Sequence, residues 1–308
     1  MEDATLSLVS RNREIISQYT TVPLPSHSAL QRAGNKAETI ALAESIGLPV
    51  PRTVIVERAN ELRLDDLAVP VVVKPARGSG SRGLRYVDDS SQVQSVVERV
   101  LAEHGTVLVQ ERIPASGQGR GVALLFDTSS KPVAGFTYKR LREYPVSGGP
   151  STLRESTHDP VLLELATRLL SALDWVGVAM VEFKVDPRDG KTKLMEINPR
   201  FWGSLELAIA SGVNFPALLL KVATGEEFVP VFDYETGVRC RWLVPGDILH
   251  FMANHDRFHL SPSFFQFRAA NLHYDDFAAD DVGGSIGTVL ASMAGLFSPH
   301  MWKVAIRR

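Results

Sequence analysis

The sequence predicts an α/β (α+β) fold rich in antiparallel hairpins, and three features carry that expectation. The first is a hairpin formed by residues 178–185 and 193–197, with the turn residues Asp186, Pro187, Arg188, Asp189 and Gly190 between them. The second is a strand ending in Lys74, then a glycine-rich loop, then a second strand-like stretch. The third is the succession of apolar β-branched runs and helical segments from residue 35 to residue 224, without an internal repeat.

In order along the chain, residues 1–30 are mixed in character and end in the Pro-rich stretch 21–28, which reads as a linker. Residues 35–46 read as a helix stopped by Gly47 and followed by Pro49 and Pro51. A short strand, 53–57, precedes a β-β-α-β unit made of 70–74, 84–87, the helical 91–103 and 106–110. Strands follow at 121–126 and 132–139, then a loop rich in Pro, Gly and Ser at 144–151. Residues 160–173 have helical periodicity with Asp159 as a cap. The acidic hairpin comes next, then helices near 204–210 and 215–224. Residues 238–243 read as a strand, and the tail from Pro245 carries few signals.

Length and composition narrow the function. The chain has 308 residues, 44% of them apolar, enough for a substantial core. Its formal charge of −2 offers no basic stripe for nucleic acid and no bulk attraction to a membrane surface. A single cysteine, Cys240, excludes an internal disulfide and fits a reducing compartment. Residues 1–10 lack the long apolar run of a signal peptide, and no stretch reaches the ~18 consecutive apolar residues of a spanning helix. The expectation is a cytoplasmic protein.

The acidic hairpin carries the chemistry. Centred near Asp189, it pairs Glu182 with Glu196, and period-2 alternation puts Lys184 beside one and Asn198 beside the other. Opposed like charges destabilise a strand pair. A hard divalent cation offsets that repulsion, and carboxylate and amide oxygens suit Mg²⁺, or Mn²⁺ in its place, rather than zinc. Glu182, Glu196 and Asn198 are therefore candidate metal ligands.

Gly78-Ser79-Gly80-Ser81-Arg82-Gly83 matches G-x-G-x-x-G, but it opens a strand, not the helix a dinucleotide-binding turn requires. A kinase loop has its lysine after the glycines, whereas Lys74 comes before them. What remains is a flexible hairpin whose backbone N–H groups can cradle phosphate. His255 and His259 are four apart and could share a helix face, without an evident third ligand.

Taken in order, these segments resemble the ATP-grasp superfamily, typically ATP-dependent carboxylate–amine (or thiol) ligases. Gly34-Asn35-Lys36 with Gly47-Leu48-Pro49-Val50-Pro51 looks like its entry motif. Val71-Val72-Val73-Lys74-Pro75 with the glycine loop looks like its phosphate lid. Gln110-Glu111-Arg112-Ile113 looks like the hinge that holds adenine, and Met195-Glu196-Ile197-Asn198-Pro199-Arg200 with Val181-Glu182-Phe183 like its metal hairpin.

The resemblance implies two α/β subdomains clamping ATP. Lys36, Lys74 and the loop residues Gly78, Ser79, Gly80, Ser81 and Gly83 would lie on phosphate. Gln110, Glu111, Arg112 and Ile113 would lie on adenine. Glu182, Glu196 and Asn198 would bind Mg²⁺, and Arg200 would contact phosphate or a substrate carboxylate. It implies a linker at 1–32, an ATP-grasp domain at 33–240 with its lid near 68–112, and an extension at 241–308. Family members usually carry a nucleotide-like α/β domain before the lysine helix. Here fewer than 40 residues precede Lys36, so that domain is expected to be absent or truncated. Where an acidic residue commonly holds ribose, this chain has Gln118 and Arg120, which leaves that contact open.

The implied activity is activation of a small carboxylate as an acyl phosphate and its transfer to an amine, releasing ADP and phosphate. A homo-oligomer is compatible with this. Arg140 is the first candidate clamp for the substrate carboxylate, followed by Arg142 and Arg154, because a guanidinium binds both carboxylate oxygens. The alternative is a non-catalytic nucleotide-binding module, or a subunit needing a partner.

Overall fold

The computed structural model describes residues 3–63, 67–78, 83–278 and 280–296. The N-terminal segment is helical, not an extended linker: α1 (Asp3–Arg11), α2 (Arg13–Ile16) and α3 (His27–Ala33). Arg13 donates hydrogen bonds to the carbonyls of Val22, Leu24 and Pro25, which folds the Pro-rich stretch back on the helices. Leu6 and Leu30 insert into the main core. Next, α4 (Lys36–Ser45) starts from Asn35, whose side chain accepts from the Ala37 N–H and so sets Lys36 at the first helical position.

The smaller unit comprises β1 (Thr53–Val56), β2 (Val71–Pro75), β3 (Arg85–Val87), α5 (Ser90–His104) and β4 (Val107–Glu111). Its antiparallel sheet has the order β1-β4-β2-β3. Val93, Val97 and Val100, one face of α5, pack on Val71, Val73, Val107 and Val109. Gly83 closes the loop between β2 and β3 with φ +76, and a Cβ there would lie 2.7 Å from Pro75 Cγ and 2.8 Å from His104 Nε2. Both the conformation and the crowding demand glycine. Gly83→Ala should therefore cost about 1 kcal/mol or more in a urea melt.

The larger unit comprises β5 (Gly119–Phe126), β6 (Pro132–Glu143), β7 (Ser151–Thr157), α6 (Pro160–Ser171), β8 (Gly177–Val185), β9 (Thr192–Asn198), α7 (Leu205–Ala210), α8 (Phe215–Thr224), β10 (Arg239–Arg241), α9 (Ile248–Ala253), β11 (Leu272–Tyr274) and α10 (Val282–Leu296). Its sheet runs β11-β10-β7-β6-β5-β8-β9, antiparallel except between β10 and β11. Alternation on β5 and β8 builds both faces of this sheet. Val122, Leu124, Val181 and Phe183 pack against α6 and the N-terminal helices, while Ala123, Leu125, Val178 and Met180 pack against α7 and α8. Asp159 caps α6 by accepting from the Leu162 N–H.

The β8–β9 hairpin differs from a regular one. Near the turn, Lys184 pairs with Lys193 and Phe183 with Leu194. Beyond it, Glu182 pairs with Glu196, because a β-bulge at Met195 shifts the register by one residue. Leu194 and Ile197 both enter the core, so Met195 and Glu196 both face the opposite side. The bulge thus aims Glu196 into a cleft.

Candidate functional site

That cleft, about 370 Å³, lies between the two sheets. Lys36, Lys74, Gly78, Arg140, Glu182, Glu196, Asn198 and Arg200 all line it. Lys36 projects from the first turn of α4, lies 3.2 Å from Glu196 Oε2, and donates to the Gly78 carbonyl at 2.6 Å. Lys74, in β2, is buried and donates to Gln110 Oε1 at 2.9 Å. Arg140 reaches in from β6 and lies 2.6 Å from Glu182 Oε2. Asn198 Nδ2 is 3.2 Å from Glu182 Oε1 and 3.4 Å from Glu196 Oε1. A rotation of that amide would present its oxygen instead.

Electrostatics separate these groups. Burial pushes the Lys74 ammonium down to about 8; the nearby Lys36 charge adds to the shift and Glu196 opposes it. Burial also raises the Glu182 carboxyl; Arg140 opposes the rise and Glu196 reinforces it. At Glu196 burial acts upward, but Lys36 and Lys74 outweigh it and hold the carboxyl below its ordinary value. One carboxylate is thus strongly anionic and its neighbour less so, the asymmetry expected when like charges share a site.

Some sequence-predicted residues lie elsewhere. Gln110 and Glu111, at the end of β4, and Arg112 and Ile113 just beyond it are not on the walls of the cleft, although Gln110 accepts from Lys74. Arg112 stacks over the Tyr86 ring at 4.5 Å and lies 3.1 Å from Asp88. Ser79, Gly80 and Ser81 lie outside the described residues. All three candidate arginine clamps are paired with acids of the chain, but only Arg140 is paired within the cleft, with Glu182; Arg142 lies 3.0 Å from the Asp247 carboxylate, and Arg154 pairs with Asp275. Arg120 pairs with Asp159 at 2.7 Å. His255 and His259 do not share a helix face, since α9 ends at Ala253 and His259 sits in a separate short turn.

Arg200 has an unforeseen partner: its Nε donates to Asp3 Oδ1 of α1 at 2.8 Å. Lys184, Glu143 and Tyr86 are among the cleft residues that were not singled out as site residues. Lys184, lowered by burial, shares the Glu182 face of β8, and only that alternation hinted at it. Glu143 lies 3.5 Å from Arg140. The Tyr86 hydroxyl donates to the Ser147 carbonyl at 3.1 Å and ties β3 to the 144–150 loop.

Residues 139–244 match the family model described as ATP-grasp in the biosynthetic pathway with Ter operon, and residues 42–140 match D-ala D-ala ligase C-terminus. The N-terminal section of the carbamoyl phosphate synthase large chain from Methanopyrus kandleri is 26% identical over 239 residues, covering 72% of this chain and 42% of the relative. The D-aspartate ligase of Enterococcus faecium is 23% identical over 233 residues, covering 69% of this chain and 55% of the relative. The chain thus spans about half the length of these curated relatives. Among solved structures, the biotin carboxylase of Campylobacter jejuni superposes with a TM-score of 0.65 at 19% identity, covering 76% of this chain and 56% of that one. The biotin carboxylase domain of Hydrogenobacter thermophilus 2-oxoglutarate carboxylase, solved with magnesium ADP and bicarbonate, gives 0.65 at 16%, covering 76% of this chain and 55% of that one. The motifs lie in family order, and residues 139–244 are similar to an ATP-grasp family, in a fold shared with the biotin carboxylases.

Proposed function

We propose that the protein is an ATP- and Mg²⁺-dependent ligase that activates a small carboxylate as an acyl phosphate and joins it to an amine. The observation that carries this reading is the opposed pair Glu182 and Glu196, with Asn198, in a cleft that also holds Lys36, Lys74, Arg140 and Arg200. Among the described residues no cluster of three or more His, Cys, Asp or Glu is placed to hold a metal. Two carboxylates and an amide would share the ion with phosphate oxygens and water, a donor set that fits Mg²⁺. The ion would neutralise phosphate charge during transfer.

The chain's own residues do the rest. Lys36 and Lys74 place positive charge where the terminal phosphates would lie. Arg140 offers a substrate carboxylate a forked donor. The 78–83 loop would cover the phosphates, and the backbone at 110–113 would hold adenine. The substrate carboxylate oxygen attacks the γ-phosphorus and ADP leaves. The amine then attacks the carbonyl carbon, phosphate leaves, and the amine gives up a proton. No helix among the described residues is long and apolar enough to cross a membrane. We place the protein in the cytoplasm, acting on small molecules.

The Asp3–Arg200 pair favours a second reading, a nucleotide-binding module whose substrate side is closed off or completed by a partner. One experiment separates the two. Incubation with ATP, Mg²⁺, hydroxylamine and pooled small carboxylates should yield ADP together with a hydroxamate. ATP bound but never cleaved supports the module, and AMP with pyrophosphate contradicts the phosphoryl-transfer mechanism.

A further inference from the structure

Four charged side chains close a ring that takes no part in the walls of the cleft. Lys193 Nζ lies 2.9 Å from Glu111 Oε1 and 2.8 Å from Asp186 Oδ2. Arg188 Nη2 lies 3.0 Å from Glu111 Oε2 and 2.5 Å from Asp186 Oδ2. Glu111 also accepts from the Arg52 N–H at 3.0 Å. Both acids are nearly inaccessible, with side chains 8% and 1% exposed. Hydrogen bonding from Arg188 holds the Asp186 carboxyl well below the usual carboxylate range, so the ring stays fully charged at neutral pH.

The ring joins two bodies. Glu111 ends β4 of the four-stranded sheet, while Asp186, Arg188 and Lys193 belong to the turn region of the β8–β9 hairpin that carries Glu182 and Glu196. The backbone around it is fixed as well. The Glu111 N–H donates to Arg52 O at 2.9 Å and the Arg112 N–H to Pro70 O at 3.0 Å. Buried ion pairs are poor sources of net stability, because desolvation offsets their attraction, and apolar residues would pack such a junction as well. What charges add is a narrowly defined geometry.

We propose that Glu111, Asp186, Arg188 and Lys193 are positioning residues that fix the backbone at 111–113 relative to the Glu182–Glu196 pair. They would set the span between the adenine end and the phosphate end of one bound nucleotide. This rests on the nucleotide reading above, in which the two ends of ATP are held by the two bodies the ring joins.

The test compares two probes by calorimetry in the presence of Mg²⁺: a non-hydrolysable ATP analogue, which needs both ends, and tripolyphosphate, which needs only one. Lys193→Met should weaken the analogue by about tenfold or more and change tripolyphosphate by less than about twofold. Lys193→Arg, which keeps the charge, should restore most of the analogue's affinity. Arg188→Met removes the more exposed cation and should give the same selective loss in a folded chain, even if Lys193→Met does not fold. Equal weakening of both probes would show a disturbed metal hairpin and overturn the proposal, as would no weakening of either. A wild-type chain that binds neither probe overturns the nucleotide reading and this inference with it.

Discussion

Glu196→Gln should cut turnover on the order of 10²-fold or more, the scale seen when one electrostatic contact to developing charge is removed. Three consequences of the geometry add up. The opposed pair proposed to hold Mg²⁺ loses one of its two carboxylates. Lys36 loses the partner 3.2 Å away that orients it. Lys74 loses the nearby anionic charge that supports its own, so its ammonium falls further below its ordinary value. The sequence alone predicts that this substitution is neutral or mildly stabilising without metal, because it relieves like-charge repulsion. The structure changes that expectation: Arg140 and Lys36 already screen the pair, and the substitution removes the carboxylate charge beside Lys36, which keeps only its hydrogen bond to the Gly78 carbonyl. A small loss of stability is expected, within the ~1 kcal/mol of a partly exposed ion pair. Turnover and a urea melt on the same preparation check both parts. Unimpaired turnover at saturating Mg²⁺ would reduce the glutamates to a surface pair.

The second large effect is the pH dependence tied to Lys74. Its ammonium is lowered to about 8 from an ordinary 10.5, so the folded protein releases this proton before the unfolded chain does. Between those values the unfolded chain binds more protons, and this group makes stability rise with pH. Nucleotide binding runs the other way, since phosphate needs the ammonium form. The KM for ATP should therefore climb as pH rises through about 8, and binding near that pH should take up a proton, seen as a buffer-dependent binding enthalpy. Lys74→Met should lower kcat/KM on the order of 10²-fold and erase this pH dependence. Glu196→Gln should move the same rise to lower pH. A KM for ATP that is flat across this range in the wild type would show that Lys74 does not meet phosphate.

How legible this was in the sequence depends on the range of the interaction. Pairing of Glu182 with Glu196 follows from strand period and turn chemistry, both local. The bulge at Met195 that produces it does not, because the register is decided by which residues the core accepts. The strand β7 escaped notice since its inward positions include Thr152, Arg154 and Ser156, buried in hydrogen-bond networks where apolar alternation would have marked a strand. The N-terminal helices were hidden for a related reason: α1 buries only Leu6 and Ser10, and its docking depends on α3. Arg142 and Arg154 read as candidate carboxylate clamps until Asp247 and Asp275 arrive from far downstream. The charged ring is beyond sequence reading altogether, as Lys193 and Glu111 are separated by 82 positions.

The most direct measurement of the central claim is calorimetric titration of a non-hydrolysable ATP analogue, with and without Mg²⁺, into the wild type and a Glu182→Gln/Glu196→Gln double variant. The account predicts one site in the wild type that tightens with Mg²⁺, and loss of that Mg²⁺ dependence in a variant that still folds. Binding that is equally tight without the ion and in the double variant would contradict it.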